Sequence, residues 1–269
     1  MDPDQIRRFY LNGFQESTVH REWSRLWSKH FRARLPERRF IKLNNYKPKL
    51  NFRSLKKLCV DIAPQHVYMS VLNWLMPDRV GPRCKAEKAY PIGGEYVADI
   101  DIIRLWRPWG GVDNLSPIGY QIAYDKTLTL VGKMRENYRD IHIVFSGKRG
   151  FHVHVRDFDV RDWTHYDVRR PVRSHEVARF LYTRHLQNSL GDIGRHHFIL
   201  STDPLRLMTV PETLNGETGK ICYSVGGLSD FEGLTFGGLL NRSDSRRFLY
   251  DSGFESLHSH LEPLLRMRQ

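Results

Sequence analysis

Apolar and polar residues alternate in three short segments of the chain, a pattern typical of β-strands with one buried face. These segments are residues 95–103 (EYVADIDII), 141–145 (IHIVF) and 151–155 (FHVHV). A further apolar run at 197–201 (HFILS) predicts another strand, which leads into Asp203. The stretch 77–94 is rich in proline and glycine, and it predicts a break before the first of these strands.

Apolar residues recur at helical spacing in the N-terminal part. Asp2 followed by Pro3 is a typical helix start, because an aspartate side chain caps the first turn and a proline ring fits it. Trp23, Trp27 and Phe31 recur at helical intervals. This spacing predicts that helical structure continues to Phe31 and that the three rings face the core.

Two helices are predicted in the second half of the chain. The segment 174–190 (SHEVARFLYTRHLQNSL) begins at a capping Ser174 and ends at Gly191. In the segment 241–269, the apolar residues fall on one helical face, which predicts a helix that docks on the core. These apolar residues are Phe254, Leu257, Leu261 and Leu264.

Strands and helices alternate irregularly, so the predicted fold class is α+β, or mixed α/β, around one continuous core. The 269 residues contain no internal repeat and no linker long enough to divide them. We therefore expect a single domain over 1–269. Its parts would be a basic N-terminal α/β unit at 1–94, a core at 95–240 and a C-terminal helix at 241–269.

Composition excludes several classes of protein. Hydrophobic residues make up 40% of the chain and aromatic residues 12%, which excludes a disordered protein. No apolar run approaches the ~18 residues of a membrane span, and the N-terminus MDPDQIRRFY lacks the apolar stretch of a secretory signal. Cys59, Cys84 and Cys222 are widely separated, which argues against a disulfide framework or a four-cysteine zinc site. We therefore expect a soluble intracellular protein without a membrane partner.

Positive charge is concentrated near the N-terminus. The chain carries 42 Lys and Arg residues against 30 Asp and Glu residues, a net charge of +12. Residues 1–57 hold 15 of the basic residues and 5 of the acidic ones, so this segment contributes +10. Aromatic residues are interleaved with the basic ones, and cations together with stacking rings suit a nucleic-acid strand. A polyanionic partner is therefore predicted.

Asp99 and Asp101 are the first candidates for chemistry. Side chains two residues apart in a strand point to the same side, so the two carboxylates would share one face. Their mutual repulsion is relieved when a cation binds between them, and hard divalent ions such as Mg²⁺ prefer oxygen ligands. The alternative is an edge strand that carries two solvated acids.

A basic turn with two glycines opens the next strand, in the sequence SGKRGFHVH. Gly147 and Gly150 let the backbone approach a ligand closely, and Lys148 and Arg149 suit a phosphate group. The alternative is a hairpin turn with an exposed lysine and arginine.

His152 and His154 would share one face of the strand that follows this turn, as in a zinc site. No Cys or His is placed by the sequence to supply a third ligand. Asp203 ends a predicted strand ahead of Arg206, in STDPLRLMTVPETLNGETG, and would complete a carboxylate cluster with Asp99 and Asp101. By itself, the segment around Asp203 is an ordinary transition from strand to loop.

The order of these motifs resembles the catalytic subunit of archaeal and eukaryotic primases. D-x-D is followed by S-G-x-R-G-x-H and then by an Asp before R-L-x-x-x-P-x-x-L-x-G-x-T-G. A looser similarity extends through the N-terminal half, with RRFY near the start and HVYMSVLNW ahead of the first motif. The chain thus resembles the archaeo-eukaryotic primase superfamily, nearer to the replicative small subunit than to the end-joining repair polymerases.

This resemblance implies a catalytic core with an RRM-like mixed sheet, packed against an N-terminal α/β unit. It implies that Asp99, Asp101 and Asp203 are the catalytic residues and hold two Mg²⁺ or Mn²⁺ ions. It also implies a nucleotide-binding set near the triphosphate, consisting of Ser146, Lys148, Arg149, Gly150, His152 and Arg206. Arg149 and His152 are expected to be positively charged donors.

The implied activity is that of a DNA primase or primase-polymerase, which synthesises short oligonucleotides on single-stranded DNA by two-metal nucleotidyl transfer. Phosphoryl transfer needs charge neutralisation and alignment more than a protein nucleophile. The implied partners are the DNA template, ribo- or deoxyribonucleoside triphosphates and a large regulatory subunit in a heterodimer. The implied location is the cytoplasm or nucleoid of an archaeon, or the nucleus of a eukaryote.

Two features depart from the family pattern. Family members commonly carry a Cys/His zinc-binding insertion between the first two motifs, but only 44 residues separate Asp101 from Ser146 and none is a cysteine. A zinc knob is therefore not predicted. Thr209 and Asn215 stand where the third motif usually has a second Arg and a His.

The sequence leaves other functions open. Thr209 and Asn215 motivate a nucleotide- and nucleic-acid-binding accessory module without turnover. An end-joining or gap-filling repair polymerase of the same superfamily is a second alternative. The third is a metal-dependent hydrolase that uses Asp99, Asp101, His152 and His154.

Overall fold

The computed structural model of the chain describes residues 1–14, 25–81, 86–101, 116–191, 199–200 and 202–245. The α-helices in these ranges are α1 (Pro3–Asn12), α2 (Phe52–Ile62), α3 (Pro117–Met134), α4 (Pro171–Leu190), α5 (Leu228–Glu232) and α6 (Phe236–Ser243). The strands are β1 (Phe31–Arg34), β2 (Phe40–Lys42), β3 (His66–Ser70), β4 (Leu72–Trp74), β5 (Pro91–Gly94), β6 (Tyr96–Asp101), β7 (Ile141–Phe145), β8 (Gly150–Val155), β9 (Ile199–Leu200), β10 (Leu207–Thr209), β11 (Leu214–Asn215), β12 (Lys220–Ile221) and β13 (Tyr223–Gly226). None of the helices in the described ranges combines the length and the apolar character needed to cross a membrane.

Two sheets form the frame of the fold. The larger sheet has five strands in the order β13-β7-β8-β6-β9, and the smaller has four in the order β10-β3-β1-β2. Strands β4 and β5 form a separate pair, as do β11 and β12. The predicted α+β class is confirmed. The pairings between described strands are all antiparallel, so in this part of the chain the larger sheet differs from the mixed sheet that was expected.

The alternating pattern of β6, β7 and β8 decides which face of the larger sheet is buried. Ala98 and Ile100 of β6 and Val153 of β8 are fully buried in one core, together with residues of α3 and α4 such as Leu130 and Tyr182. Because strand side chains alternate, Asp99 and Asp101 lie on the opposite face, as predicted. The helices therefore cover one face of the sheet and leave the other face for the acidic residues.

The smaller sheet packs on α1 and α2 through its inner face. Phe31 and Ala33 of β1 and Val67 and Met69 of β3 are buried in this second core. The predicted start of α1 is confirmed, since the Asp2 carboxylate accepts a hydrogen bond from the Gln5 N–H at 2.8 Å and Pro3 occupies the first turn. The outer face of this sheet is turned away from the core.

The predicted helical run through Trp23, Trp27 and Phe31 is wrong in its described part. Residues Leu26–Ser28 form one short 3-10 turn, and Phe31 begins β1, which pairs with both β2 and β3. Two ladders of backbone hydrogen bonds therefore override the helical spacing. Trp27 is 40% exposed rather than in the core, and Trp23 lies outside the described residues.

Helix α4 begins earlier than the sequence predicts. The predicted cap, Ser174, lies inside the helix, which starts at Pro171 and ends at Leu190 with Gly191 as its C-terminal cap, as expected. The Glu87 carboxylate accepts hydrogen bonds from the first free N–H groups, those of Val172 at 3.0 Å and Arg173 at 3.3 Å. A side chain distant in sequence thus supplies the cap, and local pattern alone does not reveal it.

The sequence missed some elements. Helix α3 starts at a capping Ser116, whose hydroxyl accepts from the Gly119 N–H at 3.0 Å, and β5 lies in the stretch that predicted a break. The predicted strand at 197–201 is confirmed at its described residues, Ile199–Leu200. The helix predicted over 241–269 lies outside the described residues beyond residue 245.

Candidate active site

The two sheets meet at a cleft of about 220 Å³. The larger sheet contributes strand residues of β6 and β8 and the turn between β7 and β8, while the smaller sheet contributes β3 and β10. The lining residues are His66, Tyr68, Asp99, Ile100, Asp101, Ser146, Lys148, Arg149, Gly150, His152, Thr209, Asn215 and Glu217. The cleft therefore brings together the first two sequence motifs with the two positions that depart from the family pattern.

The two predicted carboxylates lie beside cationic side chains. Arg206 Nη2 donates to Asp99 Oδ2 at 3.0 Å, and Arg149 Nε lies 3.6 Å from Asp101 Oδ1. The Asp99 and Asp101 side chains are 22% and 27% exposed, so a ligand in the cleft has access to them. The cleft holds negative and positive groups side by side, an arrangement that suits a phosphate ester together with a cation.

The turn at 146–150 needs its glycines. Gly150 faces Asp101 across the β6–β8 ladder, and a Cβ at this position would lie 1.7 Å from the Ile100 carbonyl oxygen. Gly147 has a φ of +77°, in the left-handed region that side chains rarely adopt. The close approach of the turn to β6 therefore depends on these two residues.

The β11–β12 hairpin holds this turn in place. The Thr218 hydroxyl donates to the Gly147 carbonyl oxygen at 2.6 Å, and Asn215 Nδ2 donates to the Ser146 carbonyl oxygen at 3.4 Å. Asn215 is only 6% exposed. The Asn215 side chain thus supports the basic turn by binding the backbone of the turn.

Glu217 is a cleft residue that the sequence analysis missed. Its carboxylate pairs with Lys148 of the turn and accepts from Arg34 Nη1 of β1 at 2.9 Å. The hydrogen bonds from Lys148 and then Arg34 lower the pKa of Glu217 to about 2. Glu217 connects the two sheets across the cleft, and no local sequence signal marks a carboxylate 69 residues from Lys148 as its partner.

His152 differs from the positively charged donor that was expected. It is 6% exposed, and burial, followed by the nearby His154 and Arg206, lowers the pKa of its ring well below the usual value. The ring is therefore neutral near pH 7. Its Nε2 lies 3.8 Å from Asp99 Oδ1, so His152 borders the carboxylates without adding a positive charge.

His154 belongs to a buried network whose residues do not line the cleft. Its Nδ1 lies 2.8 Å from Glu95 Oε2, and Lys29 Nζ donates to Glu95 Oε1 at 2.8 Å. Burial alone would raise the pKa of Glu95, but Lys29 and His154 outweigh it and lower the pKa to about 2. His154 is thus committed to Glu95, which weakens the hydrolase alternative that needs it as a metal ligand.

Asp99 and Asp101 fit a divalent cation by their chemistry, because both offer carboxylate oxygens on one accessible strand face. Asp203 is exposed, its Oδ1 accepts from the Leu205 N–H at 2.8 Å, and it is not among the lining residues of the cleft. Within the described residues, no three His, Cys, Asp or Glu side chains are grouped as a metal site. The part played by Asp203 remains a prediction.

Comparison with known proteins agrees with the motifs. Residues 129–229 match the family model of the DNA primase small subunit. The DNA primase small subunit PriS of Halorubrum lacusprofundi is 30% identical over 148 residues, which cover 53% of this chain and 36% of that protein. The PriS protein of Methanothrix thermoacetophila is 30% identical over 152 residues, covering 54% of this chain and 37% of that protein. The matches therefore span little more than a third of the length of these relatives.

The fold is also similar to that of a solved polymerase. The polymerase domain of Ligase D from Mycobacterium tuberculosis, solved in complex with DNA, superposes with a TM-score of 0.53 at 11% identity. The superposition covers 92% of this chain and 87% of that domain. At such low identity the likeness concerns the fold alone. The matches to the primase small subunit confirm the resemblance that the motifs predicted, and the fold is similar to that of the Ligase D polymerase domain.

Proposed function

We propose that this chain is the catalytic core of a DNA primase or primase-polymerase, which joins nucleotides on a single-stranded template. The observation that carries the proposal is the placement of Asp99 and Asp101 with Arg149 in one accessible cleft, where Arg206 pairs with Asp99. The match to the primase small subunit family supports the reaction class. We further propose that 1–269 works as one catalytic domain, inside the cell, with a large regulatory subunit.

The carboxylates, arginines and histidine of the candidate site have different roles in the proposed nucleotidyl transfer. Asp99 and Asp101 would hold Mg²⁺ or Mn²⁺, which when bound activates the attacking hydroxyl and neutralises charge on the leaving pyrophosphate. Arg149 and Arg206 place positive charge at the rim of the carboxylates, where a triphosphate accumulates negative charge. Neutral His152 can orient a phosphate oxygen through a hydrogen bond from Nε2, but it does not offset charge.

A synthesis assay tests this function. We expect the chain to incorporate labelled nucleotides on unprimed single-stranded DNA in the presence of Mg²⁺ or Mn²⁺, and only those complementary to the template. Extension of a supplied primer without synthesis on bare template would indicate a polymerase that needs a partner to initiate. No incorporation in either assay would contradict the proposal and favour a nucleotide-binding module without turnover. Thr209 and Asn215, which line the cleft, are compatible with that alternative.

Replacing Glu217 with glutamine should tighten binding of a nucleoside triphosphate. Glu217 pairs with Lys148 in the lining of the cleft, and both side chains are over a quarter exposed. Removing the carboxylate leaves Lys148 uncompensated, and one unit charge at contact distance is worth about 1 kcal/mol in a solvated setting, or about fivefold in affinity. Calorimetric titration with ATP at low salt measures the change, which should disappear at high salt.

Glu136→Gln is the matched control for this prediction. Glu136 pairs with Lys133 at 2.8 Å at the end of α3, in another exposed glutamate–lysine pair that does not line the cleft. Its replacement should leave ATP affinity unchanged. Weaker ATP binding by Glu217→Gln would contradict the prediction and would mean that Glu217 acts by fixing Lys148 in position.

A further inference from the structure

The outer face of the smaller sheet alternates basic and aromatic side chains. The strand register places Lys42, Arg32, Tyr68 and Thr209 in one row across the four strands. A second row contains Phe40, Arg34 and His66. Ala33 and Val67, which lie between the two rows, are buried on the inner face. We call the seven residues of the two rows, together with Tyr46, which lines one surface depression with Phe40, Arg32 and Lys42, the outer face.

This outer face runs without interruption into the candidate active site. Tyr68, His66 and Thr209 belong to it and also line the cleft that holds Asp99 and Asp101. The His66 and Tyr68 rings stack with centroids 5.8 Å apart, and the Tyr68 and Phe40 rings lie 6.1 Å apart. A line of aromatic rings therefore leads from the cleft to the far strand β2.

The far end of the face is open to solvent. Phe40 is 57% exposed and Tyr46 is 61% exposed, which are the highest values among the exposed aromatic side chains of the described residues. Both rings line a surface depression of about 480 Å³, whose other lining residues are Arg32, Ile41, Lys42 and Asn45. Lys42 is fixed at this edge, because its ammonium donates to the carbonyl oxygens of Asp78 and Val80 at 2.5 and 2.7 Å.

We propose that the outer face is the binding surface for the single-stranded DNA template, with bases stacked on Phe40 and Tyr46 and the backbone held by Arg32, Arg34 and Lys42. This inference rests on the proposed function and identifies the surface that binds the template beside the candidate active site. Exposed rings alternating with cations fit a strand whose bases and phosphates also alternate. A docking surface for a protein would be depleted of charged residues at its centre, whereas Arg32 and Arg34 lie on β1, one of the two inner strands of this sheet.

The test is the affinity of the full chain for a fluorescent oligothymidylate, measured by anisotropy over a series of salt concentrations. Phe40→Ala should weaken binding about 5- to 150-fold, the range known for loss of one stacked base, and leave the salt dependence unchanged. Arg32→Gln should weaken binding and reduce the log–log salt slope by about 0.7, the value for one phosphate contact on a single strand. Phe40 is mostly exposed, so its truncation leaves no cavity in the core.

Phe180→Ala is the matched control. Phe180 is 48% exposed on α4 and has Arg184 over its ring at 5.8 Å, so it presents a similar aromatic and arginine pair on a different element. Its replacement should not change the affinity. Equal effects of Phe40→Ala and Phe180→Ala, unchanged binding by Phe40→Ala, or no binding of the oligonucleotide by the wild type would each overturn the proposal.

The binding assay needs no synthesis, so its result is separable from the fate of the proposed function. If Phe40→Ala weakens DNA binding while the wild type never incorporates nucleotides, the outer face stands as a DNA surface and the proposed activity fails. If the wild type synthesises DNA or RNA and Phe40→Ala binds template normally, the proposed function stands and this inference fails. If Phe40→Ala loses binding to a protein subunit but keeps its DNA affinity, the outer face is a protein interface and the inference is overturned.

Discussion

Replacing Asp101 with asparagine should reduce template-directed synthesis about a thousandfold. A divalent ion contributes several kcal/mol of transition-state stabilisation, and each 1.36 kcal/mol corresponds to about tenfold in rate. Asparagine keeps the size of the side chain but removes the charge that would hold the ion. Single-turnover incorporation on a primed template measures the loss. Because Asp101 is 27% exposed, the fold should survive the substitution.

Three measurements make this result specific to the cleft. Thermal unfolding and oligonucleotide binding should match those of the wild type. Asp140→Asn is the matched control, since Asp140 also pairs with an arginine, Arg156, at 2.8 Å, but does not line the cleft. It should retain full synthesis. An Asp101→Asn protein that still synthesises at the wild-type rate would remove Asp101 from the catalytic set.

The local pattern along the chain predicted the part of the site that lies on consecutive strand residues. Alternation in β6 and β8 placed Asp99 and Asp101 on the face opposite Ile100, as the structure has them. Gly147 and Gly150 were predicted to let the backbone approach a ligand closely, and in the structure Gly150 approaches the backbone of β6 instead. Period-two alternation is a property of the backbone itself, so it needs no knowledge of the tertiary fold.

The contacts between distant segments did not follow from the sequence. Arg206 reaches Asp99 over 107 residues, and Lys29 reaches Glu95 over 66. Which cation meets which carboxylate depends on how the two sheets pack, and many pairings satisfy the same composition. The protonation state of His152 likewise follows from burial in the folded chain, which its position in the motif does not specify.

The N-terminal segment shows how tertiary packing reverses a local expectation. Its positive charge predicted a polyanionic partner, but the helical spacing of Trp27 and Phe31 assigned the rings to the core. In the structure Phe31 is buried in a strand, whereas Trp27 is exposed beneath Lys49, whose ammonium lies 5.1 Å from the ring centroid. The aromatic surface that we propose for the template is formed instead by Phe40 of β2 and by Tyr46, which line one surface depression together with Arg32 of β1.

Replacing Glu95 with glutamine should lower the free energy of unfolding by about 3–5 kcal/mol, the usual cost of removing one charged partner of a buried ion pair. Lys29 and His154 are 3% and 1% exposed, so loss of the carboxylate leaves a buried ammonium without its counter-charge. Lys29 would keep its hydrogen bond to the Val71 carbonyl oxygen, at 3.3 Å, and the glutamine amide oxygen can accept a second one, but neither acceptor carries a negative charge. Urea unfolding at pH 7 measures the change.

The double variant Lys29→Met/Glu95→Gln is the control, because it removes the uncompensated charge together with its partner. It should recover most of the stability that the single variant loses, since apolar replacement of a buried ion pair is often neutral. A double variant less stable than Glu95→Gln would show that shape, and not charge, determines the loss.

The pH dependence gives an independent check on the same carboxylate. The pKa of Glu95 is about 2 in the folded chain against an ordinary value of 4.5. Because the folded state holds the ionised form more tightly, the contribution of Glu95 is complete above about pH 4.5 and is lost as the pH falls towards 2. The stability difference between the wild type and Glu95→Gln should therefore shrink over this interval. A difference that stays constant from pH 7 to pH 2.5 would mean that Glu95 is not stabilised as an anion, and Lys29 would then need another counter-charge in the folded chain.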